Sequence, residues 1–297
     1  MPTEGMSSRF ADLDRWPTDQ AVAAMLEGQL AAAAAVRPQV DAIAAAADAA
    51  AERLRDPVGR LFYAGAGTSG RLAVLDGIEL GPTFDWGSDR LVYGIAGGLG
   101  ALVESVEDAE DDAQAGQALV KSASLTPRDV VVGVAASGTT PYTLAVVREA
   151  AAQGALTIAI ANNAGTPLLA AAGFPILLDT GPELVAGSTR MKAGTAQKIA
   201  LNLLSTAIMV RLGRVYNGLM VDMRLSNDKL RGRAVKIVAQ AADVQVENAR
   251  AALEATGSRI KPAVLVALGA TPREAAGLLA ASADNLRGAI AMLGRAP

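Results

Sequence analysis

The stretch RLFYAGAGTSGRLAVLDGIELGPTF, residues 60–84, decides the fold. Its apolar start, Leu61-Phe62-Tyr63-Ala64, is short enough for a buried strand. Gly65, Gly67 and Gly70 then bracket Thr68 and Ser69 in a glycine-rich turn, and Leu72, Val74, Leu75 and Ile78 follow at roughly helical spacing. Strand, glycine loop and helix aim backbone N–H groups and a positive helix end at an anion. Glu79 lies one helix length beyond that loop. The letters G-x-G-x-x-G at 65–70 also suit a dinucleotide, but that use needs an acidic residue closing the next strand. The next candidate strand, 90–96, runs into Gly97-Gly98-Leu99-Gly100 without a carboxylate, which favours a phosphate over a nucleotide.

Working outward, continuous apolar runs at 61–65, 91–96, 129–135, 156–161 and 175–179 predict strands. Helical patterns at 69–79, 99–120, 141–153 and 164–172 lie between them. The alternation predicts a five-stranded parallel sheet with helices on both faces, and ligands at the carboxyl ends of the strands. Two alanine-rich helices, broken near Pro38, are expected over 19–55, with Thr18 as N-cap. After Met223 the pattern is wholly helical, with Thr271-Pro272-Arg273-Glu274 as a clear helix start. The expected organisation is an N-terminal helical segment (1–55), an α/β domain (56–222) and a C-terminal helical region (223–297).

Two further loops fall at strand ends. Ser137-Gly138-Thr139-Thr140 follows VVVGVA and precedes Pro141 at a helix start, so its hydroxyls and free N–H groups suit the oxygens of a phosphoryl group. An ordinary N-cap would account for only one of those hydroxyls. GPELVAGSTRMKAGTAQK (181–198) places Glu183, Ser188, Thr189, Arg190, Lys192 and Thr195 before and around the start of a long helix. Cations are disfavoured at the positive end of a helix dipole, so they point to a bound anion or a partner carboxylate.

Hydrophobic residues make up 51% of the 297, charged residues 19%, and the net charge is −3. Such a chain folds as a globular protein, and nucleic acid or an anionic membrane surface is disfavoured as its main partner. Aromatics reach only 3%, and alanine supplies much of the apolar content, so small side chains should pack the helices closely. Cysteine and histidine are both absent. That excludes disulfides, thiolate metal sites, Ser-His dyads and imidazole bases, and leaves proton transfer to carboxylates, lysine, tyrosine or water. No signal pattern opens the sequence, and the alanine-rich run 31–51 is interrupted by Arg37, Pro38 and Asp41 and is not expected to span a bilayer, so a cytoplasmic protein is expected. Acids concentrate in Glu104, Glu107, Asp108, Glu110, Asp111 and Asp112. On a helix Glu107 and Glu110 would share a face, although most such runs are solvated surface.

Taken together, GAGTSGRLAVLD (65–76), IAGG (95–98), VEDAEDD (106–112), VVVGVAASGTTPY (130–142) and GPELVAGSTRMKAGTAQK (181–198) resemble SIS (sugar isomerase) domains, and more narrowly the N-acetylmuramic acid 6-phosphate etherase family. The opening Thr3-Glu4, DLDRWPT (12–18) and NLLSTAIMVRLGRVYNGLMVD (202–222) continue the resemblance. It implies an SIS-type three-layer sandwich, a homodimer, and lyase chemistry without metal or organic cofactor. D-lactate would leave by elimination across C2–C3 of the open-chain sugar, followed by hydration. By motif, the proton donor to the lactyl oxygen falls on Glu79 and the base at C2 on Glu110. Gly67, Thr68, Ser69, Ser137, Gly138, Thr139, Thr140, Glu183, Ser188, Thr189 and Lys192 fall on the sugar-phosphate site.

One carboxyl held neutral and one held ionised would serve that reaction. Glu79, flanked by Ile78 and Leu80, is expected to be partly desolvated and its pKa raised. The chain departs from the family at Ile78, Leu80 and Gly81, at Leu99 in place of glutamate, and at Thr139 in place of arginine. Those departures keep two alternatives open: a non-catalytic sugar-phosphate regulator and an SIS aldose–ketose isomerase.

Overall fold

The computed structural model describes residues 2–104 and 106–294. The chain forms two compact units. The first contains the residues up to Ile78 and Ser88–Ile208, and the second contains Glu79–Gly87 and the residues from Met209 onward.

The first unit is built on a parallel sheet of β1 (Leu61–Gly65), β2 (Leu91–Ile95), β3 (Val130–Val134), β4 (Leu156–Ala161) and β5 (Phe174–Leu177), in the order β2-β1-β3-β4-β5. Every residue of β1, β3 and β4 is buried, which is why these three read as almost wholly apolar runs, with Thr157 of β4 the exception. The flanking strands are partly exposed, and Pro175, which has no N–H to donate, sits on edge strand β5. Both neighbours of β1 follow it in the chain, so the winding reverses between β1 and β3.

Helices cover both faces. Phe62, Ala64 and Val131 pack with Val120 of α4 (Ala113–Ala123) and Val146 of α5 (Pro141–Ala152). Tyr63 points the other way, toward α3 (Gly67–Phe84), as strand alternation requires. The two N-terminal helices are α1 (Thr18–Ala34) and α2 (Val40–Leu54), separated by a tight turn at Arg37–Gln39. Pro17, not Thr18, takes the N-cap position of α1. Thr18–Leu54 is long and apolar enough by composition to cross a membrane, but α2 buries Ile43, Ala46, Ala47, Ala50, Ala51 and Leu54 and packs against β4 and β5. Helices α6 (Pro167–Ala171) and α7 (Lys192–Arg211) complete this part of the chain.

The expected helix over 99–120 does not form. After a short 3-10 turn at Leu99–Leu102 the described residues lie mostly in turns and bends, and the helix begins only at Ala113. Asp108 has φ +58°, and the Asp112 carboxylate accepts the Ala115 N–H and so starts the helix there. Glu107 and Glu110 therefore lie in turns rather than on one helical face.

Among its described residues the second unit holds α8 (Asp228–Ala242), α9 (Val246–Ala255), α10 (Ile260–Ala267), α11 (Pro272–Ala281) and α12 (Leu286–Met292). Thr271 and Glu274 form the expected capping box of α11. A small hairpin, β6 (Val215–Tyr216) and β7 (Leu219–Met220), turns at Asn217-Gly218, where both residues have positive φ. Lys261 is buried among the helices, with its ammonium 2.5 Å from Asp222 and 2.8 Å from Asp284. Burial pushes the Asp222 carboxyl up against the pull of Lys261 and Arg214.

Candidate functional site

The first loop turns between β1 and α3 with almost no room. A Cβ on Gly65 would lie 2.8 Å from the Gly70 Cα and 2.9 Å from the Val134 carbonyl oxygen, so both glycines serve close backbone approach. Gly67 differs: its φ is +50°, it is exposed, and a side chain there would meet nothing within 4 Å. Two glycines thus set the turn and the third leaves its backbone open at the start of α3. Ser69 is buried and Thr68 half-buried beside it.

The second loop leaves β3 alongside the first, because Gly65 and Val134 are register partners in the sheet. Ser137 Oγ accepts the Thr139 N–H at 3.2 Å and lies 3.3 Å from Thr140 Oγ1, so three of the four candidates at 137–140 are mutually positioned. Gly138 adopts φ +70° and packs against Thr166. The two hydroxyl-rich loops therefore emerge together where the winding reverses, the place at which open α/β sheets bind ligands.

In the third loop Glu183 is fully buried. Its two carboxylate oxygens accept the N–H groups of Lys192 and Ala193, each at 2.9 Å. Glu183 thus caps α7 through the helix's backbone N–H groups rather than pairing with the cations of the loop. Lys192 donates its ammonium to the Pro182 carbonyl at 2.9 Å. The loop closes through Met191 N–H to Ser188 O and Gly194 N–H to Thr189 O. A Cβ on Gly194 would be 3.5 Å from the Thr68 methyl, which sets the first turn of α7 against the first loop.

Beyond the first loop lies a cleft of about 240 Å³ whose lining includes Ala66, Gly67, Arg71, Ala96, Glu107 and Glu110. Glu110 is exposed, and its carbonyl accepts the Tyr142 N–H at 3.0 Å, which ties it to the start of α5 just after the second loop. Glu79 lies on α3 and is also exposed. The helix turns Leu75, Ile78 and Glu79 to one outer face at i, i+3 and i+4 spacing, so the burial expected for Glu79 is not met by the single chain.

Over 286 residues the chain is 50% identical to the N-acetylmuramic acid 6-phosphate etherase of Deinococcus radiodurans, covering 96% of this chain and 93% of that relative. The chain belongs to the N-acetylmuramic acid 6-phosphate etherase family. The Streptomyces coelicolor protein of that name is 47% identical over 98% of this chain and 94% of its own length. Residues 42–151 match the glucokinase regulatory protein N-terminal SIS domain. The fold is also that of a solved Bacteroides fragilis protein, described as a phosphosugar isomerase involved in capsule formation. The two superpose with a TM-score of 0.53 at 18% identity, over 68% of this chain and 95% of the other.

Three features of this etherase-family chain escape a reading from composition and spacing. Thr3 is fully buried: its N–H donates to Asn163 Oδ1 at 3.3 Å, and Asn163 Nδ2 donates to Thr3 Oγ1 and to the Ala136 carbonyl. The opening segment is thereby fastened to the second loop, and its only signal in the sequence was the resemblance itself. Asp76 is buried and accepts hydrogen bonds from Tyr63 OH at 2.8 Å, Asn202 Nδ2 at 2.6 Å and Ser205 Oγ at 3.2 Å, locking α3 to β1 and α7. Burial and the Asp76 charge push the Tyr63 phenol well above its ordinary pKa, so it remains a donor. Arg71, one turn into α3, supplies the cleft with its cation.

Proposed function

We infer that this chain is an N-acetylmuramic acid 6-phosphate etherase, a carbon–oxygen lyase that releases D-lactate from its substrate and leaves N-acetylglucosamine 6-phosphate. Half-identity over nearly the full length of relatives bearing that name carries the reading. The hydroxyls and amides of Gly67–Ser69 and Ser137–Thr140 hold the 6-phosphate, with Ser188 and Thr189 beside them, while Glu183 and Lys192 shape the third loop. In the open-chain sugar the C2 proton is acidic because it lies next to the C1 aldehyde. Glu110 removes that proton, Glu79 protonates the lactyl oxygen, and the C3–O bond breaks. Water then adds at C3 of the unsaturated aldehyde. A general acid and a general base working in one step each contribute about 10²–10⁴-fold.

The reading includes a homodimer. On α1, Val22, Leu26 and Leu30 form an exposed apolar stripe at i, i+4 and i+8. On α3, Leu75 and Ile78 are about half exposed. A second copy seated on α3 would take water away from Glu79 and favour its protonated form, the state a proton donor needs. The reaction is placed in the cytoplasm because an ionised sugar phosphate does not cross a lipid bilayer unaided.

The test is direct: incubate the protein with N-acetylmuramic acid 6-phosphate and assay D-lactate. Wild type should release it, and Glu79→Ala and Glu110→Ala should not. Tight sugar-phosphate binding without lactate would instead favour a regulator, and Thr139 and Leu99 are the positions at which a divergent ligand would be accommodated. A ketose phosphate product would indicate an isomerase.

A further inference from the structure

We propose that Arg71 holds the lactyl carboxylate of the substrate and so selects a sugar carrying an acidic ether. The proposal rests on the etherase reading and adds a second anion site to the phosphate cradle. The substrate bears two anionic groups, a phosphate on C6 and a carboxylate on the substituent at O3. The loop hydroxyls and amides are suited to the first. The second must sit close to the group that takes the C2 proton, because C2 and C3 are adjacent carbons.

Glu110 and Arg71 line the same cleft. Among its lining residues Arg71 is the one cation, facing Glu107, Asp108 and Glu110. Three carboxylates lining one cleft repel a further one, so an acidic ligand enters only if a cation offsets them. The cleft's roughly 240 Å³ equals the volume of about eight waters in the liquid, ample for a three-carbon acid. The Arg71 Nε donates to the Ala101 carbonyl at 2.9 Å, which fixes the plane of the guanidinium at the cleft wall. Its terminal nitrogens carry the remaining donors, and a planar guanidinium matches a carboxylate with two parallel hydrogen bonds. Ala101 is itself held in a cluster with Val74 of α3 and Ile95 of β2, so the anchor does not depend on a loose loop. After the elimination Arg71 is left holding lactate, while the sugar stays with the phosphate cradle.

Two substrates separate this role from a structural one: N-acetylmuramic acid 6-phosphate, and its analogue with the lactyl carboxylate replaced by a carboxamide. Arg71→Met should lower kcat/KM for the natural substrate roughly 10–150-fold, the loss of a hydrogen bond to a charged group, mostly through KM. The carboxamide analogue should be turned over by Arg71→Met about as well as by wild type, and the affinity for N-acetylglucosamine 6-phosphate should not change. Arg71→Lys should recover part of the preference for the acid. Equal losses on both substrates, or weaker binding of N-acetylglucosamine 6-phosphate by Arg71→Met, would overturn the assignment while leaving the etherase in place. Wild-type protein that releases no D-lactate would overturn the etherase reading and this proposal with it.

Discussion

Gly138→Ala is the sharpest test of how the second loop is built. Gly138 has φ +70°, and a Cβ there would sit 2.3 Å from Thr166 Oγ1, 2.6 Å from Thr166 Cβ and 2.8 Å from Thr166 Cγ2. Left-handed backbone costs a non-glycine residue about 1–2 kcal/mol. Steric overlap in a packed region adds about 1–3 kcal/mol, so the substitution should destabilise by roughly 2–5 kcal/mol. The two contributions separate in a double mutant. Thr166 precedes α6 with no capping hydrogen bond, and its buried hydroxyl has no partner, so Thr166→Gly breaks no hydrogen bond of that hydroxyl. In Gly138→Ala/Thr166→Gly the overlap disappears and the backbone strain remains, giving a favourable coupling of about 1–3 kcal/mol. Urea unfolding followed by far-ultraviolet circular dichroism measures all four proteins, and titration with N-acetylglucosamine 6-phosphate reports whether the loop still binds. A Gly138→Ala protein within about 0.5 kcal/mol of wild type would refute the reasoning, as would a double mutant no better than the sum of its parts.

Two more outcomes are expected. Ser137→Ala should raise KM by roughly tenfold or more with kcat little changed, because the phosphate is bound in ground and transition states alike and a hydrogen bond to it contributes about 1.5–3 kcal/mol; steady-state kinetics showing a fall in kcat alone would contradict that. Asp129 is buried at the start of β3 and accepts hydrogen bonds from the Arg60 backbone and guanidinium and from the Thr126 N–H. Burial would raise its carboxyl pKa, but these donors outweigh burial and hold it below the ordinary value. The folded pKa lies below the unfolded one, so the stabilisation is present above about pH 4 and is lost as pH falls through the folded value. Asp129→Asn should cost about 1.5–3 kcal/mol at neutral pH and flatten the acid limb of the stability curve, which denaturant titrations between pH 3 and pH 7 would detect.

The sheet was legible because buried parallel strands have no polar face to disguise them: β1 and β3 are apolar throughout, β4 is broken only by Thr157, and each is followed by glycines and hydroxyls. Residues 103–112 were misread because nothing in VESVEDAEDD breaks a helix. What decides against one is the positive φ at Asp108, the Asp112 cap and the anchoring of Glu110 by Tyr142, two of them local choices and one a contact across 32 positions. Asn217-Gly218 carried a usable hairpin signal that the helical pattern around it overshadowed. Glu183 falls on the sugar-phosphate site through the family resemblance, and only its complete burial against two N–H groups shows that it also caps a helix. Arg71 shared the same ambiguity, since an arginine one turn into a helix looks like surface until a cleft opens beside it.

The bond between Thr3 and Asn163 spans 160 positions, and that has a consequence on the ribosome. Thr3 emerges well before Asn163, and its docking place forms only once the fourth strand and that asparagine have been made. At about 5–20 residues per second, the segment waits on the order of 8–30 s before it can be seated. Until Asn163 exists, the second loop lacks the tie that runs from the Ala136 carbonyl through Asn163 to Thr3.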